Sequence, residues 1–167
     1  MDTVSSEVLF CREFFGVDIF SSIFGNIVQI CEDMLESQMA NCYDCVGAML
    51  MLVVVDQDVS IMNKRGITSL DPYLARSTKC ILSRLLYLLD TNINSLKVAR
   101  PSDFGSLDLR PHYVLALRMN RASLQILHTP SQVTRKYAEL AVAMNVLCPK
   151  LVNPAHATRV RNKMKVS

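Results

Sequence analysis

Apolar residues recur at intervals of three and four along most of this chain, which is the spacing that places them on one face of an α-helix. The first stripe falls between residues 19 and 35 and predicts a helix with one apolar face. It consists of Ile19, Phe20, Ile23, Phe24, Ile27, Cys31, Met34 and Leu35. No segment shows convincing alternation of apolar and polar residues, which is typical of a strand. The pattern therefore predicts an all-α fold.

A second helix is predicted where an apolar run occupies residues 45–55. We expect Asn41 to cap its N-terminus, with Asp44 in the first turn, where a negative charge favours the helix dipole. The run of eleven residues is much shorter than the ~20 needed to span a bilayer, so a buried central helix is favoured. Gly66, which follows two basic residues, predicts the end of this helix.

The clearest helix start is Asp71 followed by Pro72, because proline loses no hydrogen bond at the first helical position. A single apolar stripe follows, made of Leu74, Ile81, Leu85, Leu88, Leu89, Ile93 and Leu96. Residues 98–112 contain two prolines, a glycine and several polar residues, and predict a loop.

One further helix is predicted by apolar spacing near the C-terminal end. Its apolar positions are Tyr137, Leu140, Ala141, Met144 and Leu147. Pro149 and Pro154 then interrupt regular structure. The sequence therefore predicts one helical domain over residues 1–148 and a basic, disordered tail over residues 149–167.

The formal net charge of +3 is concentrated in that tail, which holds five basic residues and no acid among its nineteen residues. The other 148 residues carry a net charge of about −2. This distribution lacks the basic face that is typical of nucleic-acid-binding proteins, so no nucleic-acid partner is expected.

Cys42 and Cys45 form the one C-x-x-C motif of the sequence. Cys42 is expected in the first turn of a helix, where the helix dipole lowers a thiol pKa. A thioredoxin-like site needs a βαβ setting and a zinc site needs four ligands, and the other cysteines are scattered singly. Structural cysteines are therefore favoured, and a small helical thiol oxidoreductase using Cys42 and Cys45 stays open as an alternative.

No other residue pattern predicts catalysis, metal binding or cofactor binding, so no cofactor is expected and the chain is not predicted to be an enzyme. The three histidines lie far apart, and none has a serine or cysteine at a motif spacing. Asp56 and Asp58 directly follow the apolar run and are expected to mark a solvated helix exit. Asp2 and Glu7 stand where a secretory signal needs basic residues, which favours a cytosolic protein with free thiols.

Four blocks stand out in order along the chain. They are residues 10–16 (FCREFFG), residues 41–52 (NCYDCVGAMLML), residues 65–74 (RGITSLDPYL), and residues 110–114 (RPHYV) joined to residues 134–140 (TRKYAEL). In this order and spacing they resemble the vacuolar protein sorting-associated protein 52 family. Members of that family are subunits of the Golgi-associated retrograde protein tethering complex and of its endosomal counterpart.

Four departures from the family pattern stand out. Residues 115–133 interrupt the last block, and are either a genuine helix-compatible extension or the product of a retained intron or gene-model error. The family usually has Trp-Pro-Arg-Phe where this chain has Leu82-Ser83-Arg84-Leu85, and the sequence contains no tryptophan. The family's N-terminal coiled-coil region has no counterpart here, and Cys45 replaces a small residue that is more usual at that position.

The resemblance implies an antiparallel helical bundle, part of a helical-rod subunit, and a non-enzymatic scaffold or adaptor role in a vesicle-tethering complex. That complex serves endosome-to-trans-Golgi retrograde transport. Implied partners are sister subunits, SNAREs and small GTPases, through which the protein would be peripheral on trans-Golgi network and endosome membranes. A truncated remnant without tethering activity is the alternative.

Four residues are candidates for partner contact within this resemblance. Arg12 and Glu13 lie in the first block, and Tyr137 and Glu139 lie in the last. An ion pair or a packed helix face within the chain is the ordinary alternative for all four.

Overall fold

The computed structural model describes residues 2–16, 19–98 and 132–164. Within these ranges the chain forms six α-helices and no strand, which confirms the all-α prediction. The helices are α1 (Asp2–Phe15), α2 (Phe20–Ala40), α3 (Cys45–Arg65), α4 (Asp71–Val98), α5 (Gln132–Leu147) and α6 (Pro154–Met164). A short 3-10 turn, Cys148–Lys150, directly follows α5.

Two polar contacts reveal how α2, α3 and α4 are arranged. Arg76 of α4 donates a hydrogen bond to Glu32 of α2, and Arg84 donates two to the carbonyl of Cys42, just beyond the end of α2. Because residue numbers rise along both helices from one contact to the next, α2 and α4 run in the same direction. A short loop joins α3 to α4, so these two helices form an antiparallel hairpin.

Both ends of α3 are set by side-chain and glycine caps. The carboxylate of Asp44 accepts a hydrogen bond of 2.9 Å from the backbone N–H of Val46, so Asp44 is the N-cap. The prediction of Asn41 as the cap was wrong, because α2 extends to Ala40 and Asn41 terminates it, donating its side-chain amide to the carbonyl of Ser37. The predicted stop at Gly66 is confirmed, and its φ of 65° is the left-handed conformation that glycine adopts without strain.

The main core lies between α3 and α4 and is closed by α5 and α6. Six residues of the predicted α4 stripe are buried, which confirms that stripe: Leu74, Ile81, Leu85, Leu88, Leu89 and Ile93. The side chain of the seventh, Leu96, lies outside the described residues. A smaller core forms where α1 and the start of α2 meet the loop between α3 and α4. It contains Val8, Phe20, Met62, Ile67, Leu70 and Leu74.

The apolar residues of α2 occupy two faces instead of the single predicted face. Phe20 is buried and Phe24 packs partly against the smaller core. Ile23, Ile27 and Met34, which were assigned to the same face, are exposed. The reason is that the described bundle covers α2 mainly on the side that meets α4, while the other apolar stripe faces solvent.

The predicted disordered tail is wrong over most of its length, because Pro154–Met164 form helix α6. Pro154 begins this helix, where a proline needs no hydrogen-bond partner, and Asn153 caps it by accepting the N–H of Ala155 at 3.0 Å. Val160 is fully buried in the main core and holds α6 in place. The predicted loop over residues 98–112 and the insertion over residues 115–133 fall almost wholly outside the described residues.

Asp56 is buried, at 4% exposure, so the predicted solvated helix exit is wrong at this position. Because α3 continues to Arg65, Asp56 lies in the middle of the helix on its inner face. One carboxylate oxygen accepts a hydrogen bond of 2.6 Å from the backbone N–H of Asn153, and the other lies 3.2 Å from Nδ1 of His156. This buried carboxylate fixes the start of α6 to the centre of α3.

Among the described residues, one helix, α3, is long and apolar enough to cross a membrane by length and composition alone. The central helix of a bundle passes the same test. The inner face of α3 packs in the main core, where Ala48, Met49 and Leu52 are fully buried, while Leu50 and Val54 are half exposed. We therefore interpret α3 as the core helix that the sequence predicts.

Candidate partner-binding surface

The predicted contact residues Arg12 and Glu13 are exposed in the last turn of α1. Neither forms an ion pair with another residue in the described ranges. Glu139 is exposed on α5, and the side chain of Tyr137 lies outside the described residues. Since α1 packs on α2 while α5 packs on α3, the structure describes two separate sites for these residues, and their contact role stays a prediction.

Three exposed aromatic residues flank Arg12 and Glu13 in the sequence of α1. Phe10, Phe14 and Phe15 are all exposed, Phe14 to 71%. The rings of Phe10 and Phe14 stack at 5.5 Å between centroids, and those of Phe14 and Phe15 meet edge to face at 4.9 Å. A cluster of three exposed phenylalanines is unusual on a free protein surface and is typical of an interaction site.

The outer stripe of α2, which we define as Ile23, Ile27, Ile30 and Met34, is the longest regular apolar feature on the described surface. Its four side chains are between 50% and 62% exposed. They are spaced by four, three and four residues, so they form one line along three turns of the helix. This is the spacing of the seam between two helices of a coiled coil.

Charge on α2 has one sign. The helix contains Glu32, Asp33 and Glu36 and no lysine or arginine. Glu32 is buried and neutralised by Arg76, whose Nη1 lies 2.6 Å from its Oε2. Asp33 accepts a hydrogen bond of 2.9 Å from the amide of Gln29 and has no cationic partner within the described part of the chain. The charges that α2 exposes are therefore all negative.

A second surface feature lies around Arg84 of α4, where this side chain meets the segment that precedes α3. Its Nε and Nη2 donate hydrogen bonds of 2.9 and 2.7 Å to the carbonyl of Cys42. The guanidinium also lies 5.3 Å from the ring centre of Tyr43 and 5.1 Å from that of Tyr87. Tyr43 is 81% exposed. Tyrosine and arginine are frequent at the centres of protein interfaces, so this patch is a further candidate contact.

Sequence reasoning missed both of these surface features. The signal for the outer stripe was present, because α2 holds more apolar residues than one helix face can bury. The patch at Arg84 had no such signal, since it joins residues 42 positions apart along the chain.

The geometry of the C-x-x-C motif argues against redox chemistry. Cys42 precedes the helix instead of lying in its first turn, and Cys45 is the first residue of α3 and is 6% exposed. Burial raises the pKa of the Cys45 thiol to about 11, with smaller contributions from Asp44 and Cys42. Disulfide exchange needs a thiolate near neutral pH, so the alternative of a thiol oxidoreductase is not supported.

No group of three or more metal-ligating side chains is found within residues 2–16, 19–98 and 132–164. An open cavity of about 470 Å³ lies between α3 and the segment before α6. It is lined by Asp56, Val59, Ser60, Asn63, Lys64, Val152 and Asn153. Its buried carboxylate, Asp56, already forms hydrogen bonds with Asn153 and His156. These residues therefore join α3 to α6, and we do not interpret the cavity as a ligand site.

Comparison with known proteins points to one family. Residues 1–166 match a family model described as "Vps52, C-terminal". The chain is 34% identical over 116 residues to vacuolar protein sorting-associated protein 52 A of Arabidopsis thaliana, covering 69% of this chain and 16% of that relative. It is 29% identical over 150 residues to the Homo sapiens homolog, covering 86% of this chain and 18% of the relative.

A more distant relative, the vacuolar protein sorting-associated protein 52 homolog of Caenorhabditis elegans, is 22% identical over 124 residues. That match covers 69% of this chain and 18% of the relative. The chain thus spans less than a fifth of the length of these curated relatives. No solved structure gives a significant match to it.

Proposed function

Because this chain belongs to the vacuolar protein sorting-associated protein 52 family, matching its C-terminal region, we propose that it acts as a non-enzymatic scaffold or adaptor in a multisubunit vesicle-tethering complex. The transport step we assign to it is retrograde, from endosomes to the trans-Golgi network. Its partners would be the sister subunits of the complex, together with SNAREs and small GTPases. The protein would be cytoplasmic and peripheral on trans-Golgi network and endosome membranes through those partners.

The observation that carries this proposal is the amount of apolar surface that a well-packed bundle leaves uncovered. The outer stripe of α2 and the phenylalanines of α1 are ordered on helices, yet exposed. Large exposed apolar patches on a folded protein typically mark interaction sites. Ordered, exposed apolar surface is what an assembly subunit needs.

The predicted contact pair Arg12 and Glu13 fits this proposal, because both residues are exposed in the last turn of α1, directly before the exposed Phe14 and Phe15. An apolar centre bordered by charged residues is the usual composition of a protein interface. Tyr137 and Glu139 are retained as predicted contacts on α5.

The test is affinity purification of the tagged chain from its own cells, followed by mass spectrometry. We expect recovery of the sister tethering subunits, and their loss when Phe10 and Phe14 are both changed to alanine. A matched control changes two exposed polar residues elsewhere, Gln57→Ala and Asn145→Ala, and should leave recovery unchanged. A soluble, expressed chain that recovers no sister subunit would contradict the proposal and favour a remnant without tethering activity.

A further inference from the structure

The apolar residues of α2 extend around the helix from its buried face to its outer stripe, and this apolar surface is wider than the part that α4 covers. Phe20, Val28 and Met39 face the core side of the helix, and the outer stripe lies roughly a third of a turn away around the axis. A helix that needs only one neighbour carries polar residues outside its core stripe. Both described neighbours of α2, which are α4 and α1, leave the outer stripe exposed, so the distribution on α2 is instead typical of a helix that packs against a further neighbour.

We propose that the outer stripe of α2 binds an amphipathic α-helix of a partner subunit whose apolar seam is bordered by lysine or arginine. The inference rests on the proposed function, since it names the kind of partner that an assembly subunit would hold at this surface.

The spacing of the stripe selects a helix as the occupant. Ile23 and Ile30 take one of the two core positions of a heptad, and Ile27 and Met34 take the other. The line extends over about 16 Å, the length of three helical turns. A second helix can place its own core residues between these side chains at a shallow crossing angle. An extended segment has a two-residue repeat and would not keep this register.

The acidic residues of α2 indicate that the partner helix is positively charged along its flanks. Asp33 directly precedes Met34 and so occupies the flanking position that forms charge pairs in coiled coils. Because α2 contains no lysine or arginine, a facing helix with basic flanks is attracted by the acidic residues of α2 and meets no cation on that helix. A second copy of α2 would bring acid against acid, which disfavours a homodimer through this face. An anionic membrane surface is repelled for the same reason.

The test uses the purified full chain and a synthetic amphipathic peptide of about three heptads, with leucine at the core positions and lysine at the flanking positions. A matched peptide carries glutamate at the same flanks. We expect the basic peptide to bind several-fold more tightly than the acidic one, and its affinity to fall as salt rises. Equal binding of the two peptides, or binding insensitive to salt, would overturn the charge argument.

Substitutions locate the binding face. The double substitution Ile27→Ser, Ile30→Ser should lower the affinity for the basic peptide by about tenfold or more, because two apolar contacts are lost. Asp33→Lys with Glu36→Lys changes only exposed positions and should invert the preference between the two peptides. Val142→Ser with Val146→Ser removes comparably exposed apolar side chains from α5 and should change neither affinity. Circular dichroism of each variant confirms folding, and the charge variant keeps the test decisive if the serine variant unfolds.

Three outcomes overturn the proposal. One is unchanged peptide binding in the folded serine variant. Another is a homodimer, seen by light scattering, that the serine variant abolishes. The third is binding to phosphatidylserine vesicles that the serine variant abolishes while peptide binding is absent.

Affinity purification of the Ile27→Ser, Ile30→Ser variant separates this inference from the proposed function. If the sister subunits are recovered from the parent chain and from the variant alike, the inference fails and the proposed function stands. If the peptide binds but the parent chain recovers no subunit, the proposed function fails instead. Loss of the subunits from the variant alone supports both.

Discussion

The region of α1 and α2 and the region of α3 to α6 differ in how completely they cover their apolar residues. In the second region, α5 and α6 close the core that α3 and α4 begin, and Val160 of the last helix is fully buried there. In the first region, the smaller core sits beside a large exposed apolar surface. Eight of the sixteen large hydrophobic residues that are exposed in the described structure lie on α1 and α2. The difference indicates that one region supplies stability and the other supplies binding surface.

The largest effect on stability is expected from a substitution in the core of the region of α3 to α6. Leu85→Ala removes a fully buried side chain from the centre of α4 and should lower the free energy of unfolding by about 2–5 kcal/mol. Chemical denaturation followed by circular dichroism measures this change. A loss below about 1 kcal/mol would show that the core near α4 is loosely packed. It would contradict the conclusion that the region of α3 to α6 supplies the stability.

Next in size is the buried carboxylate that holds α6. Asp56→Ala leaves the N–H of Asn153 without its acceptor and should lower the free energy of unfolding by about 3 kcal/mol. Hydrogen exchange should rise over residues 154–164 in particular, because α6 loses its attachment. Asp33→Ala, which changes an exposed carboxylate, is the control and should alter neither measurement. Unchanged exchange in α6 would contradict the role assigned to Asp56.

A smaller effect is expected at the ion pair that joins the two regions. Arg76→Ala leaves the buried carboxylate of Glu32 without its cation and should destabilise the fold by about 1–2 kcal/mol. Adding Glu32→Gln to that variant should restore part of the loss, since the buried charge is then removed as well. A double-mutant cycle with no coupling between the two substitutions would show that the pair is not formed in solution.

The smallest effect is expected on the outer stripe of α2. Ile27→Ala should change the free energy of unfolding of the isolated chain by less than about 0.5 kcal/mol, because this side chain is already exposed. Urea denaturation of the variant and of Leu85→Ala in parallel gives the sharpest form of the comparison. A loss similar to that of Leu85→Ala would mean that the stripe is covered in solution, and the outer surface would then belong to the core.

Local sequence signals predicted most of the fold. The apolar stripe of α4 and the stop at Gly66 needed only residue spacing and backbone preference, and both are confirmed. The N-cap of α3 was misplaced because Asn41 and Asp44 are both good capping residues, and only the length of α2 decides between them. The burial of Asp56 was not predictable, because its partner Asn153 is distant in sequence.

The candidate site could be predicted only in part for a related reason. Periodicity located the apolar residues of α2, but it could not divide them between core and surface. That division depends on where α4 lies against the helix, which is a property of the tertiary structure. The same limit applies to α6, where Pro154 was taken as a breaker although it begins a helix that tertiary contacts stabilise.

The hydrogen bond between Asp56 and Asn153 joins positions 97 residues apart in the sequence. During synthesis on the ribosome, this separation determines how long Asp56 waits for its partner. At the usual rate of elongation, about 5–20 s separate the appearance of the two residues. Throughout that interval the carboxylate of Asp56 and the inner face of α3 lack their final cover. The nascent chain therefore passes through a stage in which its central helix α3 is incompletely enclosed, and protection by chaperones is most valuable at that stage.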